Sequence, residues 1–218
     1  EVILNYYKEY IVKKRIYLII NNEIQWKNIN ILIKHLSQEE HTRIKEEFNK
    51  RNLLKVNNSS KNKLTTQENN LLMLPILDRR EELMINPCET KWQQRYYSVL
   101  FNINNTHNNN IIKTICTNYI EGLEWTFKYY TLGCYDWKWK YNYAYAPLLS
   151  DLSIFIPYFN TNYFPDINKS VVHPFTQLAY VLPKDSHNLL PENICNLIHK
   201  KYSSYYNNHK FSWVFCKF

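Results

Sequence analysis

The stretch Tyr119–Asp151, YIEGLEWTFKYYTLGCYDWKWKYNYAYAPLLSD, decides the fold. It holds both glycines of the chain, Gly122 and Gly133, and three of its six tryptophans. Up to Leu132, and reaching back a little before Tyr119, the apolar residues fall at helical spacing. Ile111, Ile115, Tyr119, Leu123 and Phe127 lie four apart, with Ile112, Ile120 and Trp125 on the flank. Gly133 stands where a left-handed residue would close such a helix. Beyond it, residues 134–147 keep neither the helical nor the strand period throughout. Trp137, Trp139, Tyr141, Tyr143 and Tyr145 alternate with Asp136, Lys138, Lys140, Asn142 and Ala144. Such alternation is one sign of a strand. An aromatic density this high, with lysines between, equally suits a loop whose rings lie flat on a support.

The rest of the chain agrees with a helical reading. Its 218 residues suffice for one sizeable domain with a core, and 45% are hydrophobic. Two glycines are too few for a sandwich or barrel with many tight turns. The formal net charge of +8 favours a polyanion, nucleic acid or anionic membrane; a basic domain that offsets an acidic neighbour would show the same charge. No apolar run approaches the ~20 residues of a membrane helix. The chain opens on Glu1 within an apparent helix, without Met or a signal peptide, as a piece of a longer protein would. The cysteines, Cys88, Cys116, Cys134, Cys195 and Cys216, are odd in number and widely spaced, with no CxxC pair. That pattern speaks against zinc and for reduced thiols in an intracellular protein. Cys134, beside the aromatic segment, reads as a small buried hydrophobe rather than a reactive thiol.

Taken in order, residues 2–14 are expected to be helical, with Ile3, Leu4, Tyr7 and Ile11 on one face. Ile16–Ile20 is a short apolar run, and Asn21-Asn22 a turn. A long helix is expected over 26–51, its stripe formed by Ile29, Leu32, Ile33 and Leu36, then Ile44 and Phe48, with Glu39, Glu40, Arg43, Glu46 and Glu47 in water. From 52 to 87 the periodicity dissolves into a polar, mobile insertion, and Asp78-Arg79-Arg80-Glu81-Glu82 reads as a solvated face. Thr90 is the expected cap of a helix carrying Trp92, Arg95, Tyr96, Val99 and Leu100. Pro147 is expected at the first position of a further helix with Leu148, Leu152, Phe155 and Ile156. Pro183 should end a short helix after His173 and Pro191 open another. Residues 205–218 read as a strand or an extended tail.

Catalytic chemistry is hard to find. Hydrolysis of a phosphodiester by metal needs several convergent carboxylates. Glu121, Glu124 and Asp136 are near in sequence but do not cluster. His173 and His199 have no evident Ser, Cys or Asp partner, and no glycine-rich phosphate loop is present. Binding chemistry remains. Single-stranded RNA is held by rings stacked on bases and cations along phosphates. Trp137 and Trp139, with Lys138 and Lys140 between and beside them, supply both. In an extended loop the two indoles would share one face and the two lysines the other. The competing reading makes both rings anchors that hold the loop on the helices. Tyr141 and Tyr145 read as packing residues. Arg95 is placed to reach a phosphate or to pair with Glu121.

The pattern YIEGL-x-W-x-x-KYY-x-x-GC-x-x-W-x-W-x-Y-x-Y-x-YAP-x-x-SDL resembles the helical domain of the XRN family of 5′→3′ exoribonucleases. So do KWQQRYYSVLF and, after His173, PF-x-QL-x-x-VLP-x-x-S-x-x-LLP. Asn142 and Ala144 replace the proline and histidine of the family's YPYHYAP. The resemblance covers nearly the whole chain, most closely residues 91–151 and 173–198. It implies one mainly α, irregular multi-helix domain over 1–218 with an aromatic loop and few or no strands. It also implies that the domain packs on an N-terminal nuclease domain of the same polypeptide, shapes the active-site entrance and admits single-stranded RNA with a free 5′ end. Mg²⁺ would belong to that nuclease domain, leaving this chain without catalytic residues or a metal of its own. A tryptophan of W-x-W, Trp137 first and Trp139 second, would stack on the RNA, with Lys138, Lys140 and Arg95 as further contacts. The alternative from another class is a stand-alone RNA-binding or scaffolding module.

Overall fold

The computed structural model describes residues 2–58, 79–103, 109–164 and 171–203. The chain divides into two compact units, Glu1–Asn168 and Lys169–Phe218. Both are mainly α, and the described strands are one two-stranded hairpin.

The first unit begins with α1 (Val2–Tyr7), which widens into a π-helical turn over Lys8–Val12. This corrects the expected face. Lys13 and Ile16 donate to carbonyls five residues back, at Lys8 and Ile11. Wider turns shift successive side chains around the axis. Ile11 is buried, while Ile3, Leu4 and Tyr7 stay exposed. The segment meets the next helix through Tyr10, which stacks on His35. Asn21 and Asn22 take positive φ (50° and 60°) between β1 (Ile19–Ile20) and β2 (Glu23–Ile24). Those are the angles that a two-residue hairpin turn demands.

α2 spans Trp26–Asn58, further than periodicity alone implied. Of the expected stripe, Leu32 and Phe48 are buried and Ile29, Ile33 and Leu36 half-buried. The insertion's residues 59–78 lie outside the described residues, as do 104–108, 165–170 and 204–218, the last taking in the expected tail or strand over 205–218. α3 (Arg80–Ile85) follows a residue that reverses the solvated-face reading. Arg79 is only 2% exposed. Its guanidinium grips Glu82 through Nε and Nη2 (2.9 and 2.7 Å), Asn52 Oδ1 (2.8 Å), and lies over the Phe48 ring. A buried cation is tolerated only when paired and hydrogen-bonded in this way.

α4 (Trp92–Phe101) starts without the expected cap. Lys91 occupies the cap position at φ 59°, and no side chain caps the helix. Thr90 instead gives its carbonyl to Arg95. Asn102, at φ 56°, closes the helix. α5 (Asn109–Leu132) is the long central helix, and Gly133 ends it at φ 91° with its N–H on the Tyr129 carbonyl. α6 (Leu149–Phe155) is capped at Leu148, so Pro147 precedes the cap rather than opening the helix.

Two apolar clusters flank α5. Ile115 joins Ile85, Trp92, Tyr97, Ile103 and Leu148 on one side. Cys116 and Ile120 join Trp26, Leu152 and Ile156 on the other. The buried residues of α5 are therefore Ile115, Cys116, Asn118, Ile120 and Glu124; the line Cys116–Ile120–Glu124 is turned one residue from the expected stripe, in which Ile111 is exposed. Serving two clusters requires a wider apolar arc than one four-residue stripe provides.

The second unit contains α7 (Pro174–Val181), a 3₁₀ turn over Lys184–Leu189 and α8 (Glu192–Lys201). His173 Nδ1 accepts from the Phe175 N–H, and Pro174 sits in the first turn, where its missing N–H has no partner to lose. Pro183 and Pro191 bound the elements as expected.

Candidate nucleic-acid interface

The aromatic segment, residues 134–147, is a loop folded on the surface of α5 rather than a strand. Its geometry begins with a missing side chain. A Cβ on Gly122 would stand 2.8 Å from Cη2 of Trp139, so the glycine is the seat on which that indole rests. From there Trp139 lies near-parallel to Trp125 (21°, centroids 5.6 Å apart), and Phe164 meets it edge-on at 6.2 Å. The Trp125 Nε1–H donates to the Asp136 carbonyl (2.9 Å), and Asp136 Oδ1 accepts from the Lys138 N–H (2.7 Å). The second bond makes a short Asx turn that folds the backbone between the two tryptophans.

That turn separates Trp137 from Trp139. An extended segment would put both indoles on one face; here Trp139 is half-buried against α5 while Trp137 stands 44% exposed. Among the described residues no ring lies against Trp137. Lys138 and Lys140 are exposed beside it. The anchoring reading thus describes Trp139, and Trp137 keeps an open face.

The far half of the loop is fastened from α4. Tyr96 donates its hydroxyl to the Ala146 carbonyl (2.8 Å). Tyr97 donates to Asp151 Oδ2 (2.6 Å) and accepts from the Leu148 N–H (3.2 Å). Tyr141 packs edge-on against Tyr119 and Tyr143 and donates to the Tyr145 carbonyl. Asn142, where the resembled pattern has proline, donates its backbone N–H to Asn118 Oδ1 (2.9 Å). Burial pushes the Tyr96 phenol up to about 12, with Glu40 adding to it. Burial raises Tyr97 further, reinforced by the bond to Asp151, and raises Tyr141 as well. Cys116 beneath them is pushed by burial up to about 12. These groups stay neutral and serve as packing and hydrogen-bond struts.

Arg95 is reassigned by its partners. Its Nε, Nη1 and Nη2 donate to the carbonyls of Ile85 (2.8 Å), Thr90 (2.7 Å) and Asn86 (3.0 Å). It clamps the turn between α3 and α4 and does not pair with Glu121, which accepts from Asn118 instead. The carboxylates are spent in the same structural way. Glu124, 3% exposed, accepts from Lys128 (2.8 Å) and the Tyr163 N–H (3.0 Å). Among the described residues no three His, Cys, Asp or Glu side chains are grouped to hold a metal ion.

Three contributors escaped sequence reasoning. Glu40, assigned to the wet side, reaches the start of α6 and accepts from Leu149 (2.6 Å) and Ser150 (3.1 Å). Asn30, fully buried, donates to the Ser153 carbonyl (2.8 Å). The Trp26 indole N–H donates to the Thr161 carbonyl (2.9 Å). Their signal was spacing: Trp26, Asn30, Ile33, Ser37 and Glu40 continue one helical line, polar members included. In the second unit, His199 does have a thiol neighbour. Cys195 Sγ lies 3.9–4.0 Å from its ring nitrogens, and His187 Nδ1 lies 3.3 Å from its Nε2.

A family model described as the Xrn1 helical domain matches residues 81–210, more than half the chain. The chain belongs to that family. Curated relatives match the chain at moderate identity. A Saccharomyces cerevisiae 5′-3′ exoribonuclease 1 is 33% identical over 124 residues, 53% of this chain and 8% of the relative. A Schizosaccharomyces pombe 5′-3′ exoribonuclease 1 is 31% identical over 125 residues, 54% of this chain and 9% of the relative. A Debaryomyces hansenii 5′-3′ exoribonuclease 2 is 30% identical over 150 residues, 68% of this chain and 15% of the relative. The chain thus spans about a tenth of the length of these proteins. Its XRN match takes in α3 to α8, and so the Trp139 seat, the exposed Trp137 and the α4 clamp all lie inside it. No described helix is long and apolar enough to cross a membrane.

Proposed function

We propose that this domain works as the entrance wall of an intracellular 5′→3′ exoribonuclease, packed on a nuclease domain of the same polypeptide. It would take single-stranded RNA with a free 5′ end, stack Trp137 on a base, and contact phosphates with Lys138 and Lys140. Cutting, and the Mg²⁺ that cutting needs, belong to the nuclease domain. One observation carries this reading: the loop is fastened by Trp139, Asp136 and the α4 tyrosines, yet leaves Trp137 open beside two exposed lysines. A solvent-facing indole on a fastened loop, with adjacent cations, is the equipment for sequence-independent stacking. Arg95 is engaged by carbonyls and is left out of the RNA contacts.

The test compares two substitutions in the intact polypeptide. Stacking is worth ~1–3 kcal/mol per base, so Trp137→Ala should slow degradation of single-stranded RNA about tenfold or more. Its melting temperature should barely move. Trp139→Ala should instead lower thermal stability by several degrees, since it removes a ring wedged between Trp125, Phe164 and Gly122. Unchanged turnover in the Trp137 variant removes that residue from the site.

A further inference from the structure

The ring stack on α5 does not end at Trp125. Tyr129, one helical turn further on, lies parallel to Trp125 within 10°, centroids 5.2 Å apart. Trp139 sits over Gly122, on the other side of Trp125 along the helix. The order along α5 is therefore Trp139, Trp125, Tyr129, three near-parallel rings in an offset stack. The next position one turn on is Gly133, around whose missing Cβ nothing lies within 4 Å. Tyr129 is 47% exposed, and Tyr130, 83% exposed, stands at 78° to it, so the two rings form an open corner. The backbone of Asp136, which carries the chain on to Trp137 and Lys138, is bonded to the Trp125 indole in the middle of the stack.

We infer that Tyr129 is a second base-stacking platform, taking a nucleobase of the same single strand that engages Trp137. The inference rests on the proposed RNA-entrance reading. A ring already held in a stack, as Tyr129 is by Trp125, loses little freedom on accepting a further flat partner, and every base offers a π-face. Tyr129 is 47% exposed, and the space around the Cβ position of Gly133, four residues on, is open. The flanking turn supplies Lys138 for a phosphate, and the chain's charge of +8 suits a polyanion.

The experiment uses the intact polypeptide without divalent metal and short 5′-phosphorylated single-stranded RNAs bearing 2-aminopurine at successive positions. Two positions should be quenched by stacking, one through Trp137 and one through Tyr129. Tyr129→Phe should bind and quench as the native protein does. Tyr129→Leu should lose quenching at its position only and bind about fivefold or more weakly. If Tyr129→Leu behaves as native while Trp137→Ala loses its quench, the platform is refuted and the entrance reading stands. If neither variant changes anything, both fall. If Tyr129→Leu unfolds, photocrosslinking of the native protein with 5-iodouracil RNA decides: adducts on Tyr129 support the platform, and adducts confined to Trp137 overturn it. Native RNA binding by Tyr129→Leu with loss of a protein partner would equally overturn it.

Discussion

Gly122→Ala is the perturbation that most directly interrogates the loop seat. A Cβ at residue 122 would meet Trp139 Cη2 at 2.8 Å, against the ~3.5–4.0 Å of comfortable carbon contact. The ring would have to withdraw by most of an ångström, and its stack on Trp125 and edge contact with Phe164 would shift with it. Overpacking of this kind costs about 1–3 kcal/mol. Replacing a mid-helix glycine by alanine returns ~1 kcal/mol of helix propensity. The net single-mutant effect should be a loss of about 0–2 kcal/mol. In a Trp139→Ala background the obstacle is gone and only the propensity gain survives. There Gly122→Ala should stabilise by ~1 kcal/mol, so the two backgrounds differ by about 1–3 kcal/mol. Urea unfolding followed by far-ultraviolet circular dichroism for all four proteins measures the cycle. An equal effect of Gly122→Ala in both backgrounds would show that Trp139 does not rest on this glycine, and the explanation for an exposed Trp137 would go with it.

Thiol accessibility provides a second check. Timed alkylation at about pH 8 with peptide mapping should label exposed Cys88 well before Cys116, because burial both hides Cys116 and pushes its thiol up to about 12. Early labelling of Cys116 would mean that the α5–α6 cluster opens easily. A third check uses pH. The Tyr97 phenol is raised in the fold from its ordinary 10.0, by burial first and the Asp151 bond second. Its contribution is fully present below about pH 10, where neither state ionises, and falls above it as the unfolded chain loses the proton while the fold keeps it. Tyr97→Phe should flatten that alkaline decline in urea titrations, at a cost near neutral pH of about 1–3 kcal/mol for the orphaned Leu148 N–H and Asp151. An unaltered alkaline slope would dissociate Tyr97 from the loss.

The helix boundaries that sequence made visible are those enforced by local covalent facts. Gly133 accepts a positive φ at no cost, Pro183 and Pro191 forbid helix continuation, and Asn21-Asn22 favours a primed turn; each acts within a few residues. What escaped depended on partners distant in the chain. Arg79 looks solvated among charges until Phe48 and Asn52 arrive from α2, and Glu40 looks exposed until the N-terminus of α6 meets it 109 residues later. The same distinction runs through the site. The W-x-W spacing exposed an aromatic, cationic loop, but alternation alone assigned both tryptophans to one side. Asp136 separates them with two hydrogen bonds, one from the Lys138 N–H to its carboxylate and one from the α5 indole to its carbonyl, and so packs one tryptophan on α5 and leaves the other to the solvent. A period-two pattern describes side-chain direction only while backbone amides continue a ladder; where an Asx side chain takes the amide instead, the direction is set by what that side chain can reach. For this loop it is the glycine seat at Gly122 and the carboxylate-closed turn at Asp136, rather than the aromatic count, that leave Trp137 available to a strand.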